Sequence, residues 1–263
     1  MIQTPSYTQI AISAIAKKLD DNHPEIRAKA AESLGKIGEE TAIPALANHL
    51  DDSHINVRLK VIQALGKISS EVAIPKLVST LTDSNPTIRT ATAEALGQIG
   101  GTQAILHLIE LLNHDPEPSV RLSAVQSLGK TCSEDAVPPL VNSLKDKDIQ
   151  IVYFAGHGLA QINSEKSIKA LIKALEEPND KIRSSAAEAL GQISSEKTIN
   201  CLIKALQQDP SPEVRTNAAK SLGEIGLEEA IPALINALSD EEDSVRLSAT
   251  DAIGKIGSNY AKI

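Results

Sequence analysis

Residues 25–50 read EIRAKAAESLGKIGEETAIPALANHL, and variants of this phrase recur along the chain. Most copies have an arginine, then a Leu-Gly pair seven and eight residues later, then a segment close to Ala-Ile-Pro. A short internal period is the signature of repeat architectures. The phrase therefore predicts a fold built by stacking copies of one small unit, without a single central core.

The arginine position recurs at steps of 31 or 32 residues and defines eight repeats. It is occupied by Arg27, Arg58, Arg89, Arg121, Val152, Arg183, Arg215 and Arg246. Six residues earlier stands an acid, namely Asp21, Asp52, Asp83, Asp115, Asp146, Glu177, Asp209 or Asp240. Repeat 5 alone replaces the arginine, with Val152, so the series predicts one irregular layer.

Each repeat is predicted to be a pair of helices. Apolar residues in the Ala-Ile-Pro segment recur at helical spacing, and the proline suits a first helical turn. The second helix contains the arginine; Asn85-Pro86 and Ser211-Pro212 resemble caps at its start, and Gly38, Gly100 and Gly226 mark its end. Neither helix can bury its apolar stripe without a neighbouring repeat.

We therefore predict an all-α fold, a right-handed α-solenoid of eight two-helix repeats. We expect it to form a single domain over residues 1–263. The repeats are placed approximately at residues 6–38, 39–69, 70–100, 101–132, 133–163, 164–194, 195–226 and 227–257.

The fixed spacing between acid and arginine predicts a structural ladder. A guanidinium in the first turn of the second helix can bind turn carbonyls and carboxylates, including those of a neighbouring repeat. We assign this role to the seven arginines and to Asp21, Asp52, Asp83, Asp115, Asp209 and Asp240. Because Val152 removes one arginine, we expect Asp146 to lose its usual partner unless Lys145 or Lys147 compensates; otherwise this layer is a weaker joint.

Composition limits the classes of function. Lys and Arg total 26 against 34 Asp and Glu, and the net charge of −8 argues against a nucleic-acid partner. The first residues lack the pattern of a signal peptide or membrane span, so no membrane partner is expected. Cys132 and Cys201 are expected to be buried, unpaired thiols in a reducing compartment, which favours a cytoplasmic location.

The repeated phrase, together with SVRLSATDAIGKIG at residues 244–257, resembles HEAT repeats of the short-period family named after phycobilisome bilin lyases. The resemblance covers about residues 6–257. It implies that the second helices line a concave face. It also implies a choice of functions, since the family includes bilin lyases, factors for phycobilisome breakdown, iron–sulfur assembly helpers and scaffolds.

The family also includes the di-iron enzyme deoxyhypusine hydroxylase, whose iron ligands come from repeated His-Glu pairs. Not one of the six histidines of this chain is followed by glutamate. We therefore expect no metal site of this kind.

Repeat 5 carries the strongest candidate for a binding surface. Positions one, two, five and nine after the arginine lie off the apolar stripe and are expected to be exposed. In repeat 5 the first three hold Tyr153, Phe154 and His157, which are neighbours on one helix face. The adjoining repeats add Leu122, Gln126, Ser185 and Glu188 as a rim.

Two alternatives stay open for this surface. Gly156 and Gly158 replace larger residues, so Phe154 turned inward could simply fill space in an altered repeat. The aromatic side chains could also line a small-ligand pocket, such as one for a bilin. Catalysis by His157 is not expected, because the nearest acids along the chain lie beyond one helical turn.

The sequence favours a non-catalytic scaffold that binds another protein through the concave face, with no catalytic residue, metal or cofactor. The alternative is a bilin lyase, or a factor for phycobilisome assembly or degradation, with a bilin as cofactor and a phycobiliprotein as partner. If the chain is an enzyme, the resemblance favours a bilin lyase-type activity over a di-iron hydroxylase. End-to-end self-association is a further expectation, because repeat 8 lacks a strongly polar cap.

Overall fold

The computed structural model describes residues 6–260, and the side chains of residues 6–258. Within that range the regular structure is helical, with sixteen α-helices and short 3-10 segments, and the predicted all-α solenoid is confirmed. The helices are α1 (Tyr7–Ala16), α2 (Pro24–Ile37), α3 (Ile43–Ala47), α4 (Ile55–Ile68), α5 (Ile74–Leu77), α6 (Pro86–Ile99), α7 (Gly101–His114), α8 (Pro118–Lys130), α9 (Val137–Ser143), α10 (Ile149–Ile162), α11 (Glu165–Ala174), α12 (Asp180–Leu190), α13 (Glu196–Gln208), α14 (Pro212–Ile225), α15 (Ile231–Ala237) and α16 (Asp243–Tyr260).

Each repeat consists of an odd-numbered first helix and the even-numbered second helix that follows it. The arginine position, including Val152, lies in the second helix of every repeat, and the acid lies in the turn before that helix. The sequence period therefore corresponds to one helix pair.

The helices group into two compact units, Met1–Asp135 with α1–α8 and Ala136–Ile263 with α9–α16. In the first unit α2, α4, α6 and α8 pack in sequence, each against the next. In the second unit α10, α12, α14 and α16 do the same. The single domain over residues 1–263 and the repeat limits proposed from the sequence stay proposals, and residues 1–5 and 261–263 lie outside the described range.

Proline controls the length of the first helices. α3, α5, α9 and α15 have proline in the first turn and span four to seven residues, each preceded by a 3-10 segment. α7, α11 and α13 lack it and span ten to fourteen residues. Proline has no amide hydrogen to donate into the preceding turn, so that turn adopts the tighter geometry instead.

The helix boundaries agree in part with the predicted caps. The Asn85 side chain accepts a hydrogen bond from the Thr87 amide at 2.9 Å, as expected. Ser211 occupies the predicted cap position before Pro212, but its side chain makes no capping hydrogen bond. Gly38, Gly100 and Gly226 end α2, α6 and α14 with positive φ values between 70° and 76°, a backbone conformation in which glycine avoids the Cβ clash.

Glycine within the second helix lets adjacent repeats approach closely. A methyl group placed at Gly66 would lie 2.9 Å from Cα and 3.0 Å from Cβ of Ala95 in the next repeat. At Gly35 the corresponding distances to Ala64 are 2.7 and 2.8 Å. The Leu-Gly pair in the repeated phrase is therefore explained by helix contact, since a side chain on that glycine would push the repeats apart.

The sequence predicted that both cysteines are unpaired and buried. Both cysteines are free, but Cys132 is exposed and Cys201 is half-buried, so the expectation that both are buried is wrong. Burial still raises the pKa of the Cys201 thiol. No helix among the described residues is long and apolar enough to cross a membrane.

Candidate functional site

The predicted ladder residues form bonds both within and between repeats, and Arg89 shows the full pattern. Its Nη1 donates to the carbonyl of Asp83 in its own repeat at 2.8 Å. Its Nε and Nη2 donate to the two carboxylate oxygens of Asp115 in the next repeat, at 2.7 and 2.9 Å. The planar guanidinium thus fixes its own turn and fastens it to the following one.

The same two-pronged pairing recurs at other repeat boundaries. It joins Arg27 to Asp52, Arg183 to Asp209, and Arg215 to Asp240. Arg58 is looser, with Nε 3.6 Å from Asp83. Asp52, Asp115, Asp209 and Asp240 are therefore each held by the arginine of the preceding repeat, while the arginine of their own repeat binds their backbone carbonyl.

These bonds set the charge state of the ladder acids. The hydrogen bond from Arg27 lowers the pKa of Asp52, and the amide of His54 helps although burial opposes it. Burial raises the pKa of Asp115, but hydrogen bonds from Arg89 and from the Glu117 amide outweigh burial, and the net pKa is lowered. The carboxylates of Asp52 and Asp115 are thus charged, paired groups at neutral pH.

At Val152 the ladder is interrupted, and the structure shows a second acid that is affected. Arg183 and Arg215 bind the acid of the next repeat, so by the same relation Val152 leaves Glu177 without an arginine. Lys145, which was expected to compensate at Asp146, has its Nζ 3.0 Å from Glu177 Oε1. The loss of a partner at Asp146 stays a prediction. Val152 itself is buried and 2% exposed.

The residues that distinguish repeat 5 form a compact cluster on α10, which we call the aromatic patch: Tyr153, Phe154 and His157. The rings of Tyr153 and Phe154 meet edge to face, with centroids 5.2 Å apart and planes at 85°. The rings of Tyr153 and His157 lie 4.2 Å apart at 47°. Each ring is therefore in contact with another ring, and the Tyr153–Phe154 pair has the edge-to-face geometry that aromatic pairs prefer.

The next repeat supports the patch from α12 and the turn after it. The Gln192 amide nitrogen contacts His157 Nδ1, which leaves Nε2 as the other ring nitrogen. That Nε2 is buried without a hydrogen-bond partner, and it lies 3.8 Å from Glu188 Oε1. Glu188 belongs to the predicted rim. Gln192 was not among the residues assigned to the site, although it occupies the ninth position after Arg183, which the sequence marked as exposed.

Tyr153 is also tied to Glu188. Burial raises the pKa of the Tyr153 phenol, and the charge of Glu188 and a hydrogen bond to that carboxylate raise it further. Tyr153 is 37% exposed and is the most accessible ring of the patch, while Phe154 and His157 are half-buried. The patch therefore presents one exposed phenol ring on a base of two partly covered rings.

The exposure predicted for the second position after the arginine is wrong at several repeats. Ser185 is 6% exposed, and its hydroxyl donates to the Val152 carbonyl at 3.3 Å. Ser123 is likewise buried and donates to the Thr90 carbonyl at 3.3 Å. Small hydroxyl residues here bind the preceding repeat, so Ser185 supports the patch from beneath instead of forming its rim.

Leu122 and Gln126 belong to the first compact unit, on α8, and both are half-buried. Their predicted place in the rim stays a prediction. The aromatic patch and its contacts described above all lie within the second unit.

Gly156 provides the space for the Ser185 contact. A methyl group at Gly156 would lie 2.9 Å from Ser185 Oγ and 3.4 Å from the Ser185 carbonyl oxygen. The glycine therefore has a packing role between α10 and α12. The contact with Ser185 therefore accounts for glycine at position 156 without the alternative in which Phe154 turns inward to fill the space.

Metal chemistry finds no support among the described residues, where no group of three or more His, Cys, Asp or Glu side chains could hold a metal ion. One His–acid pair among them is His114 and Glu110, whose side chains lie 3.3 Å apart one turn apart on α7. Two exposed ligands on one helix do not make a coordination shell.

The chain is similar to known families and structures along most of its length. A family model described as HEAT repeats matches residues 7–54, 43–129, 105–191, 137–210 and 168–254. No curated protein matches the sequence.

Three solved structures are similar to this chain along most of its length. The complex of CpcE and CpcF of phycocyanin lyase from Nostoc sp. matches with 20% identity and a TM-score of 0.50, over 98% of this chain and 96% of that one. Human deoxyhypusine hydroxylase in complex with glycerol matches with 25% identity and a TM-score of 0.45, over 95% and 97% of the two chains. An engineered protein matches with 23% identity and a TM-score of 0.44, over 94% and 78%.

Proposed function

This chain belongs to the HEAT-repeat family, and we propose that it is a non-catalytic scaffold that binds another protein through the aromatic patch of α10. The observation that carries the proposal is the mutual support of Tyr153, Phe154 and His157, whose rings contact one another and are braced by Gln192 and Glu188. The phenylalanine is the only one in the chain.

The physical advantage of such a patch is preorganisation. Aromatic side chains bury a large area on binding and lose little rotamer freedom when they are already held in place. Hot spots at protein interfaces are enriched in such residues and lie where the surrounding groups exclude water. Because α10 is anchored at both ends, by Asp148 at the start and Asn163 at the end, the patch sits on a rigid element.

The charges around the patch suggest the chemistry of the partner. Glu188 lies beside Tyr153 and His157 with 40% of its side chain exposed, and the whole chain carries a net charge of −8. A complementary segment would place an apolar side chain against the rings and a lysine or arginine near Glu188. We therefore propose a protein partner with a basic, apolar docking segment.

The test begins with partner capture from the native host and continues with affinity measurements on the purified pair. Phe154→Ala is expected to weaken binding by at least ~2 kcal/mol, the threshold for a hot spot. Asn217→Ala is the matched control, because Asn217 occupies the same position two repeats later on α14 and is also half-buried. Equal affinity of wild type and Phe154→Ala would refute the role of the patch.

The bilin alternative is tested with the same protein. Its structural likeness to the phycocyanin lyase complex, at 20% identity, shows the fold alone. If a bilin is the ligand, mixing it with the purified protein should shift its visible absorption band, and Tyr153→Ala should abolish the shift. The scaffold proposal instead expects the free-bilin spectrum, unchanged by the protein.

A further inference from the structure

Within each compact unit, the repeats that carry the ladder arginine meet their neighbours at the same positions. The arginine of one repeat binds the acid of the next, as Arg215 binds Asp240 at 2.8 and 2.9 Å. The glycine eight residues after the arginine faces the sixth position of the next repeat, as Gly223 faces Ala252 with 2.7 Å for an added methyl group. These two contacts define how any one repeat receives another.

Repeat 8 has the arginine and the glycine of this contact, but no described acid or small residue lies opposite them. Nη1 of Arg246 binds the carbonyls of Asp240 and Glu241 at 2.7 and 2.9 Å, as in the other repeats. Its Nη2 turns to Asp243 on its own helix, and 40% of the Arg246 side chain is exposed. No described atom outside the helix lies within 4 Å of a methyl group placed at Gly254.

Ile253, directly before Gly254, is also less buried than its counterparts. The corresponding leucines of the earlier repeats are at most 1% exposed, whereas Ile253 is half-buried. We call Arg246, Ile253 and Gly254 the trailing face.

Repeat 1 carries the acceptor half without a described donor. The Asp21 carboxylate accepts from the His23 amide at 3.1 Å and lies 3.4 Å from Lys18 Nζ and 3.2 Å from His23 Nδ1. No described arginine binds this carboxylate, since Arg27 binds only the Asp21 carbonyl, at 2.9 Å. Ile26 is 41% exposed, whereas its counterpart Val57 is fully buried. Ser33 is half-buried, whereas its counterpart Ala64 is 1% exposed. We call Asp21, Ile26 and Ser33 the leading face.

We propose that the trailing face of one molecule docks onto the leading face of a second copy, repeating the internal joint between molecules. Arg246 would bind Asp21 of the other copy, and the opposite charges complement each other. Gly254 would face Ser33, and serine already faces the corresponding glycine at two internal joints, Gly97 with Ser127 and Gly191 with Ser221. Ile253 and Ile26 would both lose contact with water.

This contact joins two different surfaces, so each docked molecule still offers one free face of each kind. Unless the rotation between copies closes a ring, such an interface adds molecules without limit. The expected signature is a mean mass that rises with protein concentration.

Gly254→Ala separates association from folding. The added methyl group has open space in the single molecule, and alanine favours the helix, so thermal stability should be kept or raised. In the docked state the methyl group would meet Ser33 of the other copy as closely as at the internal joints. Association should therefore fall by at least ~10-fold, as overpacking of a tight contact predicts.

Gly257→Ala is the matched control. Gly257 also has open space around it, and Gly38, which holds the same position in repeat 1, keeps open space even with a repeat stacked beyond it. Gly257→Ala should therefore associate like the wild type.

Charge reversal tests the direction of the joint. By sedimentation velocity and light scattering across concentrations up to millimolar, Asp21→Arg and Arg246→Asp should each remain monomeric when alone. An equimolar mixture should regain a rising mass, because each variant supplies the partner charge that the other needs. Wild-type protein that stays monomeric throughout, or Gly254→Ala protein that associates like the wild type, would overturn the proposal.

Discussion

Lys145 Nζ lies 3.0 Å from Oε1 of Glu177, at the one repeat boundary of the second unit where the ladder has no arginine. The lysine comes from the turn before α10, whereas the ladder arginines extend from the second helix itself. Its side chain is 63% exposed, compared with 9–11% for Arg89, Arg183 and Arg215. At this boundary a single exposed ammonium takes the place of a buried guanidinium that makes two hydrogen bonds. The Lys145–Glu177 ion pair is therefore weaker than the arginine–carboxylate pairs.

Restoring the arginine should strengthen this layer. Val152→Arg would place a guanidinium where the other repeats have one, with Glu177 as its carboxylate partner. We expect the free energy of unfolding to rise by about 1 kcal/mol, measured from the urea midpoint at constant slope. Val152→Met, which adds length without charge, should give no such gain. A Val152→Arg variant with unaltered or lower stability would argue against a weak joint at repeat 5.

Removing a ladder arginine should cost far more than removing Lys145. Arg89→Met would leave the carboxylate of Asp115, whose side chain is 4% exposed, without its strongest partner. We expect a loss of about 3 kcal/mol in denaturant unfolding, because an isolated buried charge is strongly unfavourable. Lys145→Met removes an exposed pair and should cost less than ~1 kcal/mol. Adding Asp115→Asn to Arg89→Met should recover part of the loss; if it deepens the loss, the cost does not come from the stranded charge.

The ladder predicts how stability depends on pH. The pKa values of Asp52 and Asp240 are lowered, first by hydrogen bonds from Arg27 and Arg215, and the pKa of Asp115 is lowered despite burial. A lowered folded-state pKa gives stability that is present above the unfolded value, near 4, and lost as the pH falls through the folded value. Stability should therefore be level from neutral pH down to about 4 and fall steeply below it.

The measurement is a series of urea unfolding curves from pH 7 to pH 2. The variant with both Arg89→Met and Asp115→Asn should show a shallower fall, since it has one fewer depressed carboxylate. Hydrogen bonds from Lys36 and Lys29 also lower the pKa of Glu32 to about 2, but both lysine side chains are exposed. Neutralisation of Glu32 is expected to add little in salt. Wild-type stability that stays level down to pH 2 would exclude the ladder as the source of acid sensitivity.

Two glycine substitutions should differ although both lie in second helices. Gly66→Ala would place its methyl group 2.9 Å from the Ala95 backbone, which cannot move aside, so we expect a loss of about 1–3 kcal/mol. Gly156→Ala would meet first the Ser185 hydroxyl, which can rotate, at 2.9 Å. The gain in helix propensity should nearly offset this contact, leaving a change below ~1 kcal/mol. Similar losses for both variants in chemical unfolding would contradict this account.

Helical spacing was enough to predict the aromatic patch but not the residues around it. The grouping of Tyr153, Phe154 and His157 followed from helical spacing, and their ring contacts are as that spacing suggested. The rim did not follow, because exposure depends on the neighbouring repeat. Ser185 is covered by α10, while Gln192 reaches back to His157 from the next repeat. A single helical wheel has no information about either contact.

By itself, the sequence determined the period, the helix pairs and the all-α solenoid, because the eight copies carry the same local signals for helix start, apolar stripe and helix end. Only the tertiary structure decided the direction of the ladder, in which the arginine of one repeat holds the acid of the next, and therefore that Glu177 is the acid Val152 leaves to Lys145. The physical reason is that spacing along one helix fixes which residues share a face. What lies opposite that face depends on how the next repeat is packed, which no single copy encodes.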